Sequence, residues 1–187
     1  AFGVYASFFV APVLVFLGTW RLRRAAAANF ARALITASVL GLLVMAAVPT
    51  APPWMASREG VAPPIERIGE SLVGVAVHDR AEDLINANEV AAMPSLHTAT
   101  TALVALVLGS VLPRLRRWLW LYPLTMGVAL VYLGEHYAVD VLAGLGADAL
   151  AATCLCLQPS LHCVAATVPV LDVWRANQPG ADGRPVD

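Results

Sequence analysis

The sequence predicts an all-α protein, a bundle of transmembrane helices with no β-sheet. Of its 187 residues, 59% are hydrophobic and only 13% are charged, whereas about 25% of the residues in a typical soluble domain are charged. Several apolar runs are long enough to cross a hydrocarbon core about 30 Å thick, which takes roughly 17 to 25 helical residues. These observations together indicate an integral membrane protein.

Five apolar runs are predicted to span the membrane. They lie at residues 2–20, 31–48, 96–112, 118–134 and 137–158. The first and fourth runs contain Pro12 and Pro123. A membrane bundle tolerates such prolines, because neighbouring helices can satisfy the backbone carbonyls that they leave without a donor. The five spans define one domain over residues 1–158.

The distribution of charge predicts which loops face the cytoplasm. The chain contains no lysine, and two of its loops carry arginines without any acidic residue. These are Arg21, Arg23 and Arg24 between the first two spans, with Arg32 at the start of the second, and Arg114, Arg116 and Arg117 between the third and fourth. By the positive-inside rule both loops are cytoplasmic. The acidic loop at 49–95 and the turn near Glu135 then lie outside a plasma or inner membrane.

The ends of the chain and the outer loop carry further expectations. The chain begins AFGVYASFF, without an initiator methionine or the basic region of a signal peptide. Together with the odd number of spans, this start leads us to expect an earlier segment. Residues 159–187 are predicted to form a flexible cytoplasmic tail. The outer loop opens with PTAPPW, and its sequence IERIGESLVGV predicts an interfacial amphipathic helix near 63–77.

Two short patterns are explained by packing rather than by ligand binding. Cys154, Cys156 and Cys163 are odd in number and have no matching ligand pair, so we predict neither a disulfide nor a metal site. GLGADA at 144–149 is similar to a dinucleotide-binding glycine motif, but no strand precedes it. Gly144 and Gly146 are instead predicted to allow close contact between helices.

Four polar residues are predicted to meet at the outer face. Ser95 and His97 begin the third span, in MPSLHTAT, and YLGEHYAVD brings His136 and Asp140 to the start of the fifth. Residues four apart are neighbours on one helix face, so the Asp140 carboxylate can accept a hydrogen bond from His136. That bond would set the tautomer of the imidazole and leave its other nitrogen available as a nucleophile or general base.

Such a group of residues suits phosphoryl transfer. One imidazole can attack while the other protonates the leaving group, and the carboxylate stabilises the developing charge. Ser95 can bind a phosphate together with the backbone N–H groups at the helix N-terminus. In the structural alternative, Ser95 only caps its helix, His97 is an interfacial anchor, and His136 and Asp140 form an ion pair. The convergence of all four on one face favours a site.

MPSLHTA and YLGEHYAVDVLAG resemble the second and third signatures of the type 2 phosphatidic acid phosphatase superfamily. The resemblance covers roughly residues 35–157. It implies a bundle of usually six transmembrane helices, a lipid phosphate or phospholipid substrate, and no metal or other cofactor. By position, His136 would be the nucleophile that forms a phosphohistidine, and Asp140 would orient it. His97 would protonate the departing group, and Ser95 would bind the phosphate.

The sequence departs from the family pattern at its basic positions. The arginine usually found six residues before the histidine of the third signature is replaced by Leu130, and no first signature precedes MPSLHTA. Phosphate still needs cationic ligands, for which guanidinium groups are well suited. The candidates are Arg58, Arg67 and Arg80, with Arg67 preferred because the interfacial helix could hold it over the site. Each of them could instead balance neighbouring acidic residues.

PTAPPW, MPSLHTA and YLGEHY together resemble the inositol phosphorylceramide synthase-like branch of the superfamily. In that branch an alcohol such as inositol, rather than water, resolves the phosphohistidine or its equivalent. The resemblance therefore implies a membrane lipid phosphatase or phosphotransferase whose active site lies on the extracytoplasmic side.

Two other functions remain as alternatives. A non-catalytic lipid-binding or scaffolding subunit is favoured by the missing basic positions. A small-solute transporter is weaker, because the spans lack paired half-helices and ionisable residues at mid-depth. No nucleic-acid partner is predicted, and oligomerisation remains open.

Overall fold

The computed structural model describes residues 1–65 and 90–156, with side chains up to residue 147. Within these ranges the chain is helical and forms no sheet, and an isolated parallel bridge joins Thr50 to Ala91. The helices are α1 (Phe2–Leu22), α2 (Arg24–Ala47), α3 (Pro53–Arg58), α4 (Leu96–Val111), a 3-10 turn (Pro113–Leu115), α5 (Arg116–Leu119), α6 (Leu121–Tyr132) and α7 (Ala138–Cys156). The predicted all-helical class is confirmed for the described residues.

Each of the five predicted apolar runs is largely helical, with the fifth described as far as residue 156, and the second and fourth runs depart most from the prediction. α2 begins at Arg24 rather than at residue 31, because the alanine-rich stretch before the apolar run has high helix propensity. The fourth run is divided between α5 and α6. Pro123 explains the division, since its nitrogen cannot donate to the carbonyl of Leu119 and its ring crowds that group.

Two of the described helices, α1 and α2, are long and apolar enough to cross a membrane, and α4 and residues 138–147 of α7 are shorter apolar helices. The side chains on the outside of the bundle are largely apolar. Examples are Leu14, Ile35 and Leu142, which are 62%, 63% and 67% exposed. Soluble proteins rarely expose so many large apolar side chains together. The complete five-span bundle stays a prediction.

α4 is the central helix of the bundle. It packs against α1, α2, α5, α6 and α7, and every residue from Thr98 to Val107 is buried. A helix that is apolar and covered on all sides lies in the middle of a bundle. The C-terminal half of α4 packs on α2, where Phe30 belongs to one buried cluster with Leu103 and Leu106. α4 therefore gives the residues at its N-terminus a rigid base.

Gly134 ends α6 with a turn that leads directly into His136. Its φ angle is 76°, in the left-handed region that glycine adopts without a steric penalty. Glu135 donates its N–H to the carbonyl of Leu130 at 3.1 Å, and Gly134 donates to Val131 at 3.2 Å. These two bonds form a Schellman motif, which satisfies the last carbonyls of the helix.

α7 makes a close contact with the start of α4 at Gly144. The N–H of Ser95 donates to the carbonyl oxygen of Asp140 at 3.0 Å, one helical turn before Gly144. A Cβ atom on Gly144 would overlap the carbonyl oxygen of Ser95, whereas a Cβ atom on Gly146 would have no neighbour within 4 Å among the described residues. The predicted close helix contact is therefore confirmed at Gly144 and not at Gly146.

Replacing Gly144 with alanine tests this contact. We expect Gly144→Ala to destabilise the protein by about 1–3 kcal/mol, because the added methyl group must push α4 and α7 apart. Gly146→Ala should be neutral or slightly stabilising, since alanine favours a helix more than glycine does. Thermal unfolding in detergent measures both variants. Equal effects of the two substitutions would contradict the packing described here.

Candidate active site

The structure brings the two predicted catalytic histidines together. The ring centroids of His97 and His136 are 5.7 Å apart, and the rings lie edge to face with an interplanar angle of 64°. His97 belongs to the first turn of α4, and His136 lies in the turn between α6 and α7. One phosphorus atom placed beside the pair could contact both rings.

Ser95 caps α4. Its Oγ accepts hydrogen bonds from the backbone N–H of Thr98 at 3.4 Å and from the Thr98 hydroxyl at 3.2 Å. A serine in this position satisfies one of the N–H groups that a helix N-terminus leaves without an intrahelical acceptor. Ser95 thus has the capping function of the structural alternative, and it is buried. Its proposed role as a phosphate ligand stays a prediction.

Two aromatic residues of α1 pack on His97. The ring of Tyr5 stacks on it with centroids 5.2 Å apart, and the ring of Phe8 lies tilted at 4.2 Å. Neither residue was predicted to belong to the site. Their spacing of three places them on one face of α1, but nothing in the sequence connects that face to His97. These two ring contacts restrict the orientation of the His97 imidazole.

A main-chain carbonyl holds the ring of His136. Its Nδ1 lies 2.8 Å from the carbonyl oxygen of Ala92 and 3.8 Å from Oδ2 of Asp140. Nδ1 of His136 was expected to donate to the Asp140 carboxylate, but it donates to the carbonyl oxygen of Ala92 instead. A carbonyl oxygen only accepts, so Nδ1 carries the proton in this contact. A neutral ring then has its lone pair on Nε2.

The Asp140 carboxylate accepts a different hydrogen bond, which explains why it is not the acceptor for Nδ1 of His136. Its Oδ2 accepts the N–H of Tyr137 at 2.7 Å. Asp140 is the third residue of α7, and Tyr137 immediately precedes the helix, so the contact is half of a capping box. The carboxylate also lies in the first helical turn, where a negative charge interacts favourably with the helix dipole. At 3.8 Å from Nδ1, it can still stabilise a positive charge on His136.

Of the three candidate arginines, only Arg58 lies within the described residues. It ends α3, and its guanidinium carbon is 5.1 Å from the ring centroid of Trp54. The N–H of Trp54 donates to the carbonyl of Gly134 at 3.2 Å, so α3 lies against the turn that carries His136. Arg67, Arg80, most of the predicted interfacial helix and the tail lie outside the described residues.

Leu130, at the position where the family signature usually has an arginine, is fully buried in α6, and its apolar side chain has no hydrogen-bond donor for a phosphate. Among the residues that the structure describes, no group of three or more histidine, cysteine, aspartate or glutamate side chains is arranged to hold a metal ion. In the part of the chain that the structure describes, the candidate site offers imidazole, carboxylate, hydroxyl and main-chain groups.

Comparison with known proteins agrees with the two signatures. A family model described as the PAP2 superfamily matches residues 2–155. The chain is 32% identical over 116 residues to the inositol phosphorylceramide synthase catalytic subunit aur1 of Schizosaccharomyces pombe, covering 58% of this chain and 28% of that protein. It is 32% identical over 133 residues to the phosphoinositol dihydroceramide synthase of Bacteroides thetaiotaomicron, covering 63% and 41%.

The chain therefore spans less than half the length of either of these curated relatives. No solved structure matches the chain significantly.

Proposed function

The chain belongs to the PAP2 superfamily, the type 2 phosphatidic acid phosphatases that its two signatures resemble, and we propose that it is a membrane enzyme that transfers a phosphoryl or phospho-alcohol group from a lipid through a phosphohistidine. The observation that best supports this proposal is the pairing of His97 and His136, with ring centroids 5.7 Å apart. Two imidazoles at that separation can divide nucleophilic attack and proton transfer between them.

The proposed reaction has two steps. In the first, Nε2 of His136 attacks the phosphorus atom, a P–N bond forms, and the bond to the leaving oxygen breaks as His97 gives that oxygen a proton. In the second, the now neutral His97 takes a proton from an alcohol or water, whose oxygen attacks the phosphorus and displaces His136. Asp140 stabilises the positive charge on the His136 ring. Both histidines return to their starting states.

The proposed phosphate ligands are the N-terminal N–H groups of α4, the Ser95 hydroxyl and the arginines of the outer loop. N–H groups without an intrahelical partner bind anions readily. Arg58 is supported by the contact of α3 with the turn before His136, and Arg67 and Arg80 are proposed from the sequence alone. Each guanidinium can make paired hydrogen bonds to a phosphate.

The scarcity of basic signature positions favours a phosphodiester donor. A phosphodiester carries one negative charge, whereas a phosphomonoester carries nearly two at neutral pH, so the diester needs less cationic compensation. Leu130 stands where the family signature usually has an arginine, so the chain has one guanidinium group fewer at this position. One curated relative is named as an inositol phosphorylceramide synthase and the other as a phosphoinositol dihydroceramide synthase. We therefore propose transfer to an alcohol over hydrolysis.

We place the site at the extracytoplasmic face of a five-span bundle in the plasma or inner membrane. The outward-facing apolar side chains of α1, α2, α6 and α7 support a lipid environment. The two loops whose charged residues are all arginines lie at the opposite end of the spans, and they support this orientation.

Product analysis tests the proposed function. The full chain in liposomes is given phosphatidylinositol or phosphatidic acid, each with ceramide, with inositol or with water alone. We expect a new phosphodiester from phosphatidylinositol and ceramide, and His136→Ala should lower its formation by at least about 10³-fold, as expected for a covalent nucleophile. His162→Ala, a histidine of the predicted tail, is the matched control.

Three results would change this proposal. Inorganic phosphate released from phosphatidic acid, or inositol phosphate released from phosphatidylinositol, as the main product would identify a hydrolase. Normal turnover by His136→Ala would refute the phosphohistidine. Lipid binding without any product, and without sensitivity to His136→Ala, would favour the non-catalytic lipid-binding alternative.

The role of His97 is tested with a donor whose leaving group needs no proton. With a lipid alcohol as leaving group, His97→Ala should lower the rate of the first turnover by about 10²–10⁴-fold, the range for loss of general acid catalysis. With a nitrophenyl phosphodiester, the burst of nitrophenol should stay within about tenfold of wild type. Stopped-flow absorbance measures the burst. Equal losses with both donors would contradict the assignment of His97 as the acid.

A further inference from the structure

The PTAPPW segment after α2 has no part in the chemistry above, yet it contacts both sequence signatures. Thr50, its second residue, lies beside residues 90–93, which lead into MPSLHTA. Trp54, its last residue, donates its N–H to the carbonyl of Gly134 at 3.2 Å. Gly134 lies two residues before His136. The segment thus joins the chain before α4 to the turn before α7.

Three hydrogen bonds connect Thr50 to the segment before α4. Thr50 donates its N–H to the carbonyl of Val90 at 2.9 Å, and its carbonyl accepts the N–H of Ala92 at 3.1 Å. These two main-chain bonds do not depend on the side chain. In the third, the N–H of Met93 donates to the hydroxyl oxygen of Thr50 at 2.9 Å, so this bond requires a side-chain acceptor at position 50.

The third bond acts on the same peptide group that holds His136. The N–H of Met93 and the carbonyl of Ala92 belong to one planar unit. Its N–H side is bound by the Thr50 hydroxyl, and its carbonyl side lies 2.8 Å from Nδ1 of His136. In a trans peptide group the two point in opposite directions, so both ends of the plane are held. Hydrogen bonds that share one amide also polarise each other.

We propose that Thr50 is a positioning residue for His136. Its hydroxyl sets the orientation of the peptide group between Ala92 and Met93, and the Ala92 carbonyl then keeps the proton of His136 on Nδ1. The lone pair of Nε2 is thereby held ready for attack. Asp140 does not supply this constraint, because its Oδ2 is 3.8 Å from Nδ1 and accepts the N–H of Tyr137.

The effect of Thr50 on turnover rests on the proposed function, whereas its effect on the imidazole does not. Two variants separate the hydroxyl from the rest of the side chain. Thr50→Val keeps the shape and the main-chain bonds but has no acceptor for the Met93 N–H. Thr50→Ser keeps the acceptor. Thr125→Val is the matched control, because the exposed Thr125 hydroxyl donates to the carbonyls of Leu121 and Tyr122 in its own helix.

The tautomer of His136 is measured by ¹⁵N NMR of histidine-labelled protein in detergent, with its signals identified by their loss in His136→Ala. We expect protonation on Nδ1 in wild type, in Thr50→Ser and in Thr125→Val, and a mixture of tautomers in Thr50→Val. Loss of one hydrogen bond of ordinary strength should lower kcat of Thr50→Val about tenfold and change KM less than about twofold. Thr50→Ser should retain at least about half of the wild-type kcat.

An unchanged tautomer in Thr50→Val overturns the proposal, and so does a changed tautomer with wild-type kcat. Equal losses in Thr50→Ser and Thr50→Val also overturn it, because the hydroxyl would then not be the cause. If Thr50→Val does not fold, Thr50→Cys replaces it, since a thiol is only a weak acceptor. If the wild type itself turns over no lipid, the proposed function fails, and the tautomers alone then decide the role of Thr50.

Discussion

The close contact between the start of α4 and the first turns of α7 at Gly144 is the constraint on which the candidate site depends. The N–H of Ser95 donates to the carbonyl of Asp140 at 3.0 Å, and this approach leaves no space for a side chain on Gly144. Two sequence signatures about forty residues apart are joined there. Because Ser95 begins one helix and Asp140 lies in the first turn of the other, His97 and the turn carrying His136 come together as a consequence.

Main-chain groups hold most of the polar side chains of the site. The carbonyl of Ala92 binds His136, and the N–H of Tyr137 binds the Asp140 carboxylate. Such groups are fixed by the helices and turns to which they belong, so they orient side chains without losing conformational entropy of their own. The buried carboxylate is also satisfied by a hydrogen bond, which burial of a charge requires. Asp140 therefore serves both α7, as a cap, and the electrostatics of the histidine pair.

Periodicity, charge and motif spacing predicted the helical class, the meeting of His97 with His136, and the helix contact at Gly144. They could not predict that Ala92 holds His136, because a main-chain carbonyl has no signature in the sequence. The packing of Tyr5 and Phe8 on His97 was equally hidden, since it depends on how α1 lies against α4. The division of the fourth run could have been predicted from Pro123. The early start of α2 was missed because its first turns are helix-forming but outside the apolar run.

The central claim is that His136 becomes covalently phosphorylated during turnover, and trapping the intermediate tests it most directly. A donor labelled at phosphorus is mixed with the protein, and the reaction is stopped within milliseconds at alkaline pH, because a phosphohistidine is labile in acid. The protein is then digested, and the labelled peptide is identified by mass spectrometry. The account predicts that the label is on the imidazole of His136. Label on Ser95, or turnover that leaves no label on His136, would contradict it.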